Sequence, residues 1–364
     1  MGTAQDGRTL MDEDVAAQGC FITADHTSAP RGVRNVARSL PTTGIHELPS
    51  PPALQAPVLM AFAPTAQEYG RIAHEIRSRP GLFLKPLIIL CRESNPRWAS
   101  TVDGELSTQP TPSRVAGTIR NLSEIGRRVD AYRPLNHYTR TRWLHELLLL
   151  RYLDSRPGHR MSPASNVHLS GGYAYPAAAA LAGRPGDAAR ELLETLRRAG
   201  FLMGEVCDRV HTCPECGDFR LNFRHVCSHC GSLVFAEEPV LRHFRCSHTA
   251  PRSSFETDVG LQCPQCRTML RQEGLDYETS WRTFWCRDCG RGFSETDEKY
   301  HCMNCDKTVS PARTPVRSYR TYRLTSDGSV TARKGSYPEA HICDFVRDDP
   351  GLHTPETFEH FYRL

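Results

Sequence analysis

The chain has 364 residues, of which 39% are hydrophobic and 24% charged, and it carries a formal net charge of +4 at pH 7. That length allows two or three domains with separate cores, in a composition typical of globular protein. The small positive charge does not by itself indicate nucleic-acid binding. The longest apolar runs, "LHELLLL" and "AAAALA", are far too short to span a membrane.

The start, "MGTAQDGRTLMDEDVAAQG", is polar and acidic, with no basic n-region or apolar core. Residues 1–17 therefore read as a disordered N-terminus, and the chain as a cytoplasmic protein without a membrane partner. Residues 18–130 alternate short apolar runs with helical patterns. "CFIT", "APVLMAFAP" and "KPLIILC" read as strands. "PRGVRNVARSL", "TAQEYGRIAHEIRSRP" and "SRVAGTIRNLSEIGRRV" read as helices. Strands alternating with helices predict a parallel sheet covered on both faces.

This region resembles a degenerate response-regulator receiver domain, a second small α/β domain type being the alternative. "IAHEIRSRPGLFLKPLIIL" is similar to the receiver stretch from third helix to fourth strand, and "DGELSTQPTPSRVAGTIRNL" to the approach to its last helix. The resemblance implies a phosphate-accepting aspartate near the end of "VLMAFA", where Ala61 and Ala63 stand. It also implies a lysine before a proline, where Gln109 precedes Pro110. Without that carboxylate no acyl phosphate forms, so the expectation is an unphosphorylatable pseudo-receiver.

Residues 131–210 read as a helical, winged-helix-like segment. "TRWLHELLLLRYLDSR" has the apolar stripe Trp143, Leu147 and Leu150 of a packed helix. "GDAARELLETLRRAGFLMGEV" reads as a helix N-capped by Asp187 and stopped at Gly200, then a strand. Farther on, "YRLTSDGSVT" predicts a hairpin turning at Asp327-Gly328, as a wing or a separate hairpin.

Residues 211–335 read as a zinc-ribbon module, and 336–364 as a C-terminal tail. The chain has 15 cysteines, and in a reducing compartment their Cys-x-x-Cys spacing indicates metal. Each such turn aims two thiolates at one ion, and two turns complete a tetrahedron. Cys213, Cys216, Cys227 and Cys230 form a first quartet with ten residues between its pairs. Cys286, Cys289, Cys302 and Cys305 form a last one, with twelve between. In the middle, Cys263 and Cys266 join His243 and Cys246 of "HFRC", with His248 competing as fourth ligand.

Local completeness favours pairing neighbouring knuckles over a cross-braced arrangement. Three structural zinc ions per chain are expected, with iron as the alternative metal. Cys20, Cys91, Cys207 and Cys343 fall outside the groups and read as apolar fillers.

Residues from about 140 to 330 resemble the thaumarchaeal output domain (TackOD) family. The match is carried by "SGGYAYPAAAAL", "DRVHTCPECGDFRLNFRHVCSHCGS", "LRHFRCSH", "FETDVGLQCPQCRTMLRQEGLDYE", "FWCRDCGRGFSE", "CMNC" and "YRLTSDG". The resemblance implies a zinc-binding output module of bacterial and archaeal signalling proteins, often joined to receiver, sensor or diguanylate-cyclase domains. It names no reaction.

The expected function is a non-enzymatic output or adaptor protein whose partners are other signalling proteins. The runner-up is a nucleic-acid-binding regulator. Its candidate contacts are Arg220, Phe223 and Arg224 in "FRLNFRH", and Arg317, Tyr319, Arg320, Tyr322 and Arg323 in "VRSYRTYRL". A lesser alternative is a cyclic-dinucleotide effector, to which scattered arginines could contribute. For catalysis the polar groups to inspect are Asp208, Arg209 and His211, with Asp276 and Glu278.

Overall fold

The computed structural model describes residues 19–23, 29–135, 140, 143–183, 187–281 and 283–336. The N-terminal segment 1–17, nearly all of the tail from 336, and Cys343 lie outside them. The chain divides into two compact units. Residues 210–317 form the second, and the first comprises the described residues before 210 and after 317.

The first unit is built on five parallel strands: β1 (Gly19–Thr23), β2 (Thr42–Gly44), β3 (Val58–Ala63), β4 (Leu87–Cys91) and β5 (Gly104–Leu106). Their spatial order is β2-β1-β3-β4-β5, and every pairing is parallel. This is the flavodoxin-like, doubly wound order. β3 and β4 are buried along their whole length, as parallel strands covered on both faces must be.

Alternation along those strands serves two cores. Leu59, Ala61, Ala63, Leu87 and Ile89 pack with Ile72, Ala73 and Ile76 of helix α3 (Ala66–Arg77). Val58, Met60, Phe62, Ile88 and Leu90 pack on the opposite face with Val33, Val36, Val115 and Ile119. The latter come from α1 (Arg31–Arg38) and α5 (Pro112–Asp130). Two short helices, α2 (Pro51–Gln55) and α4 (Pro80–Phe83), complete the α3 side. β3 ends at Ala63 with Pro64 and Thr65 following, so no carboxylate stands at that strand end.

Four further helices belong to this unit: α6 (Leu144–Ser155), α7 (Pro176–Ala182), α8 (Asp187–Arg198) and α9 (Ser326–Lys334). α6 buries Leu147 through Leu153 on all sides, as expected of a helix inside the core. The Arg151 Nε of α6 donates to the Ala332 carbonyl of α9 at 2.9 Å. A buried charge cluster pins α6 to the sheet. The Asp103 carboxylate takes Arg77 Nη2 at 3.0 Å, Arg156 Nε at 2.5 Å and the Leu87 N–H at 2.9 Å. Arg156 and Arg77 flank the Tyr152 ring at 4.0 and 5.3 Å. Burial pushes the Asp103 carboxyl up, and the two guanidinium charges outweigh it, leaving its pKa below the ordinary value.

Two local expectations are corrected. Asp327-Gly328 is not a hairpin turn but the first turn of α9. Thr325 caps that helix, its hydroxyl oxygen accepting from the Gly328 N–H at 3.1 Å. Glycine is needed there because a Cβ would lie 2.2 Å from the Phe201 carbonyl oxygen. Asp187 is the first residue of α8 rather than its cap. Gly200 stops the helix as expected, with φ of 79°. Strand β8 (Leu202–His211) follows β6 (Ala164–Ser165) and β7 (Tyr173–Ala174), and pairs with strand Val316–Leu324.

Among the described residues, no helix is long and apolar enough to cross a membrane.

Candidate metal centres

Six two-residue-gap knuckles punctuate the second unit, and their backbones repeat one geometry. The first ligand's N–H donates to the carbonyl five residues on. This holds for Cys213 to Asp218, Cys227 to Ser232, His243 to His248, Cys263 to Thr268, Cys286 to Arg291 and Cys302 to Lys307, at 2.8 to 3.0 Å. The residue after each second ligand is left-handed: Gly217, Gly231, Ser247, Arg267, Gly290 and Asp306, with φ between 56° and 76°. Glycine suits that conformation. Ser247, Arg267 and Asp306 adopt it with a side chain, which costs about 1 kcal/mol or more each.

The twelve expected ligands gather into three groups, each of which could hold a metal ion, with donor atoms within 4.8 Å of one another. The grouping bears out the expected middle set and corrects the pairing of neighbours in the two all-cysteine sets. Cys213 and Cys216 face Cys302 and Cys305; Cys227 and Cys230 face Cys286 and Cys289. His243, Cys246, Cys263 and Cys266 form the innermost group. The centres are therefore nested along the chain.

Strand geometry explains the nesting. The ten residues between Cys216 and Cys227 include the strand Leu221–Val226, and a strand rises about 3.3 Å per residue. Six extended residues carry the second knuckle about 20 Å from the first, so the two cannot share an ion. That outgoing strand instead pairs antiparallel with Asp297–Cys302, setting Leu221 opposite Cys302. Phe235–Glu237 pairs antiparallel with Phe284–Cys286, and Val240–His243 with Tyr277–Ser280. The two outer outgoing knuckles thus each meet the returning one at their own level.

The donor spacing tests the fit of an ion. Metal–sulfur bonds of about 2.3 Å in a tetrahedron require sulfur–sulfur edges of about 3.8 Å. The Cys213–Cys305 and Cys216–Cys302 separations are both 3.6 Å. Cys227–Cys289 is 3.8 Å and Cys230–Cys286 is 3.6 Å. In the inner group Cys246–Cys263 is 3.6 Å, and His243 Nδ1 lies 3.1 Å from Cys246 and 3.4 Å from Cys266. The shorter nitrogen edges follow from the shorter metal–nitrogen bond. His243, not His248, is the histidine of this group. The His248 ring instead packs on Phe255, with centroids 5.6 Å apart.

Cys20 and Cys91 are buried in the first unit, and burial pushes both thiols up to about 11. Cys207 is exposed and its thiol points at the Tyr319 carbonyl, 3.4 Å away.

The candidate contact residues divide sharply. Arg220 is held by Asp218 through two hydrogen bonds of 2.9 and 2.7 Å. Phe223 is 44% exposed and Arg224 is half-buried. Tyr319 and Tyr322 are buried and so are not available for stacking. Their hydroxyls donate to the Gly171 carbonyl at 2.8 Å and to Glu194 at 2.6 Å. Arg320 also approaches Glu194, at 3.4 Å, and the exposed Arg323 lies 3.2 Å from the Met203 sulfur. Arg317 lies near the start of the strand Val316–Leu324.

Sequence reading missed a ring ladder. Phe223 stacks edge to face with His225 and Tyr300, at 4.9 and 5.6 Å, and Tyr300 meets His211 at 5.7 Å. Period-2 alternation in "LNFRHV" put Phe223 and His225 on one face, but their partners are more than 70 residues away in the chain.

The polar groups considered for catalysis have structural partners. Asp208 accepts from the Tyr173 hydroxyl, and Arg209 donates its N–H to that same carboxylate at 2.7 Å. His211 Nδ1 lies 2.9 Å from the Thr314 hydroxyl. Asp276 accepts the N–H groups of Arg271 and Gln272 at 2.8 and 3.0 Å, which lower its pKa. Glu278 pairs with Arg242 at 3.5 Å.

A parallel α/β layer and three nested Cys/His groups able to hold metal ions define the class of protein. Residues 138–324 match the family model described as thaumarchaeal output domain 1, and the chain belongs to that family. No curated protein and no solved structure matched it.

Proposed function

We propose that the chain is a zinc-binding, non-enzymatic output or adaptor protein of signal transduction, acting through protein–protein contacts. The observation that carries this reading is the closed donor set of each centre. Four protein ligands leave no position for substrate or water, the condition of a structural rather than a catalytic site. Tetrahedral sets of three or four thiolates suit zinc or iron, and knuckles on short hairpins favour zinc. When bound, the ions would hold the hairpins together and supply folding free energy. His243 and the eleven cysteines would hold them as neutral imidazole and thiolates.

The α/β layer acts as an unphosphorylatable pseudo-receiver. Its 2-1-3-4-5 strand order supports that reading, as does Ala63 at the end of β3, where a phospho-acceptor would stand. The metal module presents apolar side chains suited to partners: Val259 is 81% exposed, Leu275 70%, Met303 66% and Trp281 62%.

A second reading, nucleic-acid binding, is favoured by the ladder of His211, Tyr300, Phe223 and His225, since exposed rings can stack bases. Native mass spectrometry, incubation with acetyl phosphate and magnesium, and retention on single-stranded DNA and RNA separate these readings. Three zinc ions, no phosphate incorporation and no salt-sensitive retention are expected. A labile or substoichiometric metal would overturn the structural assignment. Steeply salt-dependent retention lost in Phe223→Ala would establish the second reading.

A further inference from the structure

A cavity of about 440 Å³ lies inside the first unit, near the lower end of the about 300–1,000 Å³ range of small-molecule pockets. α3 and the loop after β4 contribute His74, Arg97 and Trp98, and the segment from 164 to 183 contributes Ser165, Asn166 and Ala179. Its lining belongs to the first unit, whereas the metal-ligand groups belong to the second. It runs from the loop after β4 to the C-terminal end of α3, where His74 and Ser78 sit.

The lining has a definite chemistry. It contains no carboxylate, and Arg97 is its one permanently charged group. Among the described residues the Arg97 guanidinium has no hydrogen-bond or ion-pair partner, and neither has the Trp98 indole N–H. Trp98 is seated by helix α3, whose Gly70 approaches so closely that a Cβ would lie 3.0 Å from the indole. His74 meets Trp98 edge to face at 5.6 Å. Leu169, Pro176, Ala179 and Ala180 supply an apolar wall. Ser165 and Asn166 add a hydroxyl and an amide.

We propose that this cavity binds a small planar anion, an aromatic or heteroaromatic ring bearing one carboxylate or phosphate. The ring lies against Trp98, His74 and the alanine wall, and the anionic group meets Arg97. Such a ligand touches both α3, outside the family match, and α7, inside it. Binding therefore stabilises the packing of these two helices by mass action, giving the unit a small-molecule input. The inference does not depend on the metal centres being structural.

The test is calorimetry and thermal unfolding of the zinc-loaded full chain with 4-hydroxybenzoate and phenyl phosphate, set against 4-hydroxybenzyl alcohol and phenol as uncharged counterparts. At least one anion is expected to bind saturably at one per chain, and at least tenfold more tightly than its counterpart. The arm that responds identifies a carboxylate or a phosphate as the anionic group. Arg97→Gln should weaken that binding by roughly ten- to a hundredfold, the worth of a charged hydrogen bond, without moving the ligand-free melting temperature. Ala179→Leu, which fills the cavity, should abolish it. Failure of every anion to outbind its counterpart overturns the proposal, as does unchanged affinity in Arg97→Gln.

Discussion

The two units of this chain are held by different means. In the first, both faces of a parallel sheet bury continuous aliphatic clusters, and each strand and helix adds to a shared apolar core. In the second, strands of two to six residues bury only small clusters, such as Leu241, Ala250, Phe255, Leu270 and Tyr277. Another consists largely of ligands, Cys227 and Cys286 around Phe293. Hydrophobic burial scales with area, so the first unit should fold on its own core, and the second should fold only when its thiolates are tied together.

Chelation is the harshest way to break that comparison. Each structural zinc is worth on the order of 10 kcal/mol in small domains. Removing the metal should therefore unfold residues 210–317 while leaving the first unit intact. Hydrogen exchange read by mass spectrometry would resolve the two. Equal loss of protection in both units would show that the first unit also depends on metal.

Cys305→Ser sharpens the point by testing which knuckles share an ion. It should release one metal and expose Cys213, Cys216 and Cys302 to alkylation, with Cys286 and Cys289 still protected. Labelling of Cys286 and Cys289 instead would favour pairing of neighbours.

In the first unit, Asp103→Asn should cost about 3–5 kcal/mol, because it leaves Arg77 and Arg156 buried without their counter-charge. Urea unfolding measures this. The Asp103 carboxyl is depressed in the folded state, so its contribution is present above the unfolded value of about 3.9. It is lost as pH falls through the lower folded value. The wild-type advantage over Asp103→Asn should accordingly shrink below about pH 4.

The smallest effect expected is a gain. Arg267 is left-handed at φ of 60°, and Arg267→Gly should stabilise the inner knuckle by about 1 kcal/mol. Metal-retention assays under competition with a chelator would detect it.

Legibility in the sequence differed with the range of each interaction. The strands "VLMAFA" and "LIILC" and helices α1, α3 and α5 were readable because period and apolar run are local properties. β2 and β5, three residues each, carry too little pattern to be seen. The hairpin expected at Asp327-Gly328 failed because a turn-forming dipeptide was also a glycine required for close approach to Phe201. Tyr319 and Tyr322 looked like stacking residues, but strand alternation alone does not say which face is covered. The Asp103–Arg156 pair spans 53 residues and leaves no sequence signal at all.

The metal module shows the same boundary. The identities of its ligands and the form of each knuckle were determined by the sequence, because two donors separated by two residues meet an ion through a single local turn. Which knuckle faces which was decided only by tertiary structure. Partner choice depends on whether the intervening residues fold back or extend, and here they extend as Leu221–Val226 and return as Asp297–Cys302. Antiparallel register between strands some 50 to 80 residues apart, not spacing along the chain, assembles the two outer centres.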